Sequence, residues 1–97
     1  MKKFAIPRPE RLGSIVIIDK NGDRCAVGHL MRHLAPEVEF DPVFDSTDCC
    51  DTLSKLGFAT FREIEHLADT NDSLGSNEER IANLLHFCER HGIEVTA

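Results

Sequence analysis

The chain has no wholly apolar run longer than Ile15–Ile18. A bilayer-spanning helix needs roughly 20 such residues, so no membrane span is expected. The opening stretch, MKKFAIPRPERLG, lacks the uninterrupted apolar core of a secretory signal, because two prolines and two arginines follow Phe4 within a few residues. A cytosolic setting is therefore expected. The four cysteines, Cys25, Cys49, Cys50 and Cys88, are expected to be thiols rather than disulfides. No C-x-x-C pair is present to build a zinc site. Basic residues are also scarce, with 11 Lys and Arg against 17 Asp and Glu and a net charge of −6. That balance argues against direct binding of a nucleic-acid backbone, which wants clustered cations on one face. No low-complexity segment or internal repeat occurs.

What remains is a modest core. Apolar residues are 41% of 97 residues, enough for one domain and too few for two. Residues 1–13 hold two prolines and read as an extended lead-in to a single small globular domain over residues 14–97. SIVIID, from Ser14 to Asp19, is the best strand candidate, since Ile and Val suit a pleated surface. Asn21-Gly22 then signals a tight turn, so a β-hairpin is expected at about residues 14–26, returning through Arg24 to Ala26. From Val27 the period changes. Val27, Leu30, Met31 and Leu34 lie on one helical face, and Pro36 ends it.

Three further helices follow. Ser46 or Thr47 caps one carrying Cys49, Cys50, Leu53 and Leu56, with Gly57 just past its end. Thr60 and Glu63 have capping-box spacing and open another that buries Phe61, Ile64, Leu67 and Ala68. DTNDSLGS, beginning at Asp69, is expected to break it. Ser76 or Asn77 caps the last, whose apolar stripe is Ile81, Leu84, Leu85 and Cys88 and whose exit is Gly92. The fold class is mainly α (α+β), an N-terminal hairpin packed on about four short helices.

Two groups of residues carry possible chemistry. Cys25, His29 and His33 are four apart and form a narrow stripe. Thiolate and imidazole at that spacing can share a metal, but a fourth ligand is missing, so no metal and no cofactor are expected. The same stripe offers a nucleophile, Cys25, with His29 as its base. No oxyanion hole or third orienting group can be recognised, and the bland alternative is a small buried cysteine. Asp69, Asn71 and Ser73 imitate a calcium loop, yet Leu74 and Arg80 stand where it needs glycine and glutamate. A helix–helix connection is the better reading.

The second group is acidic. Glu37, Glu39, Asp41, Asp45, Asp48 and Asp51 fall in a stretch without Lys or Arg, interleaved with Val38, Phe40, Val43 and Phe44. Apolar anchors ringed by carboxylates suit docking on a basic or nucleic-acid-binding protein. Glu37, Glu39, Phe40, Asp41, Phe44 and Asp45 are the expected partner-binding residues. The alternative is a loop whose phenylalanines fold inward.

CAVGHLM, LGF, LADTND and a terminal helix ending CERHGI together resemble a group of small uncharacterised bacterial and phage proteins. That group carries a C-A-x-G-x-L segment and a later segment ending in H-D or N-D. The matching positions are Cys25, Ala26, Gly28 and Leu30, then Asn71 and Asp72, within about residues 22–94. Asn71 departs from the commoner histidine. The resemblance implies a phage or mobile-element setting in a bacterial host, in which the docking read from the acidic segment would modulate or inhibit a host protein. It also implies that Cys25 and Asp72 meet in the fold, so that an enzyme here would use Cys25, His29 and Asp72. A fainter likeness joins GFATFREIEHL and ERHGIEV to the acidic N-terminal region of primary bacterial sigma factors, implying transcriptional modulation.

Overall fold

The structure is a computed structural model that describes residues 4–13, 25–36 and 46–96. Six elements follow in chain order: β1 (Phe4–Pro7), α1 (Ala26–Leu34), α2 (Ser46–Ser54), α3 (Phe61–Ser73), α4 (Asn77–Arg90) and β2 (Ile93–Thr96). The protein is mainly α, with four helices and a small two-stranded sheet among the described residues. Most of the expected hairpin, residues 14–24, lies outside the described residues. Its last two residues do not form a strand: Cys25 is the N-cap of α1 and Ala26 opens that helix.

Helices α1, α3 and α4 start where the sequence satisfies orphan amides. Cys25 caps α1 by accepting the Gly28 N–H at its Sγ, 3.4 Å away. Thr60 and Glu63 form a complete capping box on α3, and Ser76 Oγ accepts the Glu79 N–H on α4. Past α2 and α4, Gly57 (φ +94°) and Gly92 (φ +71°) reverse the chain in a backbone conformation that side chains disfavour.

The helices close on one core. Val27, Leu30 and Met31 of α1 are buried against Cys49, Cys50 and Leu53 of α2, Ile64 and Leu67 of α3, and Ile81, Leu84 and Cys88 of α4. Phe87 joins this face, and Phe58 bridges Phe87 and Phe4 through edge-on ring contacts. Burying a side chain the size of Leu30 or Leu84 contributes about 1.5–3 kcal/mol.

The sheet joins the two ends of the domain. β1 and β2 run parallel, with Phe4 opposite Ile93 and Pro7 opposite Thr96, and the Arg8 N–H continues the ladder to Thr96 O. Ile6 and Ile93 point into the core. Parallel strands need a long crossover, and here the helices lie between them.

Beyond β1, residues 10–13 are held by side chains from the α3–α4 junction. Asn77 accepts the Leu12 N–H at 2.7 Å and donates to Glu10 O. Arg80 donates to Leu12 O (2.7 Å) and Leu74 O (3.0 Å), and the buried Asn71 amide donates to Gly13 O. These bonds account for one departure from expectation. The break expected at Asp69 does not occur, and α3 runs on to Ser73. Asn71 faces inward to a partner, and Ser73 Oγ returns to Thr70 O, so this polar turn stays helical.

Candidate functional site

The Cys25 corner is built by the start of α1, the end of β1 and the last turn of α3. Cys25 is 6% exposed. Burial pushes its pKa up, outweighing the Gly28 and Val27 amides that favour the thiolate, and the charge of Asp72 pushes it further up. Cys25 and Asp72 are thus within electrostatic reach, but a nucleophilic thiol needs the opposite shift. Asp72 itself is raised, chiefly by burial and then by Asp69. His29 is turned to another task. Its Nε2–H donates to Pro7 O at 2.8 Å, and its ring packs against His33. Cys25 and His29, both buried, form a capped joint between α1 and β1.

None of the four cysteines is in a disulfide, and all are buried. Among the described residues, no three His, Cys, Asp or Glu side chains converge as a metal site. Among them, too, no helix is long and apolar enough to cross a membrane.

Glu37, Glu39, Phe40, Asp41, Phe44 and Asp45 lie outside the described residues, whose flanks are fixed. Ala35 is buried on one side, and Cys49 and Cys50 anchor α2 on the other. The described end of the acidic stretch faces outward. Thr47, Asp48 and Asp51 are exposed while Cys49, Cys50 and Leu53 point inward. Asp51 pairs with Lys55 at 3.0 Å across one exposed turn, a contact of small energetic value.

A third site was not singled out by the spacing of any motif. α3 and α4 diverge into a cleft of about 280 Å³. Arg62, Glu63, His66, Leu67 and Thr70 line it from α3, and Asn83, His86, Phe87, Arg90 and His91 line it from α4. Leu67 and Phe87 are buried, while Arg62, His66, His86 and Arg90 are exposed. Its one carboxylate, Glu63, is already engaged. Oε1 accepts the Thr60 N–H (2.9 Å), and Oε2 lies 3.5 Å from His91 Nε2. The Thr60 hydrogen bonds, then His91 and Arg90, hold Glu63 below the usual carboxylate range. His91 also packs its ring on Phe87, centroids 4.3 Å apart. The Asn83 amide nitrogen is buried and has no hydrogen-bond partner among the described residues.

The signal for this cleft is a polar stripe on each helix, Arg62, His66 and Thr70 on one and Asn83, His86 and Arg90 on the other. It becomes a site only when antiparallel packing sets the two stripes face to face. Comparison with family models, curated proteins and solved structures finds no match to this chain.

Proposed function

We propose that this chain is a small protein-binding module that docks the acidic, phenylalanine-bearing segment from Glu37 to Asp51 onto a basic partner. The observation that carries the reading is the exposure of Asp48 and Asp51 on a helix whose other face is locked into the core. The carboxylates of the segment steer the encounter, and Val38, Phe40, Val43 and Phe44 supply contact area. A row of carboxylates also imitates a row of phosphates, so a host protein that handles nucleic acid is the fitting target. Modulation or inhibition of such a protein suits a phage or mobile-element setting. The burial and raised pKa of Cys25 favour this reading over a cysteine enzyme.

The test is an affinity capture from host lysate with wild type beside a variant carrying Glu37→Gln, Glu39→Gln, Asp41→Asn and Asp45→Asn. Wild type is expected to retain a basic protein whose capture fades with added salt, and the variant to lose it. Recovery of the same proteins by both, or of none by either, rejects the reading.

A further inference from the structure

On residues separate from the acidic segment, we propose that the α3–α4 cleft binds a small organic anion, a carboxylate or phosphate carried on a flat apolar body. Cations outnumber acids at its rim. Arg62 and Arg90 stand there with His66 and His86, and Glu63, the only carboxylate among the described lining residues, is held by the Thr60 amide and beside His91. Among the described residues neither guanidinium lies within ion-pair distance of a carboxylate. In a chain with a net charge of −6, two such groups on one cleft are a local exception. Guanidinium suits both oxyanions, because its planar fork matches two acceptor oxygens at once.

The floor specifies the rest of the ligand. Leu67, Phe87 and the His91 ring packed on Phe87 give the cleft an apolar floor, and ring faces favour a flat body. A bare inorganic ion would leave that floor uncovered. On the wall, the buried Asn83 amide nitrogen is a donor without a partner among the described residues. Buried donors are nearly always satisfied, and a turn of the half-buried Asn83 side chain would bring this one to a ligand oxygen in the cleft. Apolar walls with a few converging polar groups are the usual make-up of small-ligand sites.

The test follows backbone amide shifts of isotopically labelled protein during titration with phenyl phosphate, benzoate, inorganic phosphate and benzyl alcohol. At least one of the two aromatic anions is expected to saturate below about 10 mM, the weak end of specific binding, with shifts confined to residues 62–70 and 83–91. Whichever binds more tightly identifies the oxyanion. Inorganic phosphate is expected to bind at least about tenfold more weakly, and benzyl alcohol not to saturate. A variant carrying Arg62→Gln and Arg90→Gln should weaken the aromatic anion by about tenfold or more while keeping the wild-type helical circular dichroism. The proposal is overturned if benzyl alcohol matches the anions, if shifts map elsewhere, if neither anion saturates, or if the folded variant binds as wild type does. The wild-type titrations decide the matter alone should the variant fail to fold.

Discussion

The two ends of the α3–α4 pair use the same side-chain chemistry for opposite purposes. At the junction, Asn71, Asn77 and Arg80 point their donors at the carbonyls of Gly13, Glu10, Leu12 and Leu74. In the cleft, Asn83, Arg62 and Arg90 carry donors of the same kinds, and among the described residues no carbonyl meets them. Arginine and asparagine on a helix face are therefore not a functional signal by themselves. What separates the two ends is whether the protein supplies the acceptors. A donor set that meets protein acceptors ties down the chain, whereas one that meets none stays available to a ligand.

The comparison breaks most sharply at Arg80. Arg80→Ala removes two donors from partly buried carbonyls and is expected to destabilise the protein by roughly 2–3 kcal/mol, since hydrogen bonds from a charged group are the stronger ones. Urea denaturation monitored by circular dichroism reads the loss. A change below about 0.5 kcal/mol, the usual size for a surface substitution, would mean that the clamp on residues 10–13 carries no stability. Asn83→Leu should act with the opposite sign. It removes a buried donor that has no described partner, so stability is expected to hold or to rise by up to about 1 kcal/mol. A marked loss would show that the Asn83 amide is satisfied in solution without a ligand.

The clamp and the cleft also differ in how far the sequence reveals them. The starts of α3 and α4 were legible because capping is local: Thr60 and Glu63, or Ser76 and Glu79, meet within one turn. The core faces of α1 and α4 were legible from periodicity, although Phe87 escaped the apolar stripe drawn through Ile81, Leu84, Leu85 and Cys88. The sheet was not legible. β1 and β2 have four residues each and pair across almost the whole chain, and four residues hold too few repeats to show a period. For the same reason residues 1–13 read only as a lead-in, and nothing in FAIP announces a partner in IEVT. The polar run from Asp69 looked like a break because its inward hydrogen bond, from Asn71 to Gly13, depends on a residue 58 positions away. The acidic segment was conspicuous in the sequence, whereas the cleft emerges only from the packing of two helices.

A smaller effect is expected from the arginines of the cleft. Replacing Arg62 and Arg90 by glutamine should change stability by no more than about 0.5 kcal/mol, because both are exposed and exposed charges contribute little. The contrast with Arg80→Ala is the point of the pair of measurements. If the cleft arginines prove as costly to remove as Arg80, the cleft is a second clamp and not an open site.

The finest distinction lies in Glu63, the one cleft residue whose oxygens are already used. Its carboxyl is held below its ordinary value by the Thr60 hydrogen bonds first, and then by His91 and Arg90. A carboxylate depressed in the folded state contributes stability that is present above its unfolded pKa and is lost as pH falls through the folded pKa. In wild type this contribution should therefore drain away below the unfolded value near 4.5. Glu63→Gln keeps an oxygen to accept the Thr60 N–H but has no proton to take up. Its stability should fall less steeply over that acid window, with the two proteins converging once Glu63 is protonated. Urea midpoints measured from about pH 7 down to about pH 3 read the difference directly. Curves that stay parallel throughout would mean that the capping carboxylate is not linked to folding, and that Glu63 is as open to a ligand as the arginines around it.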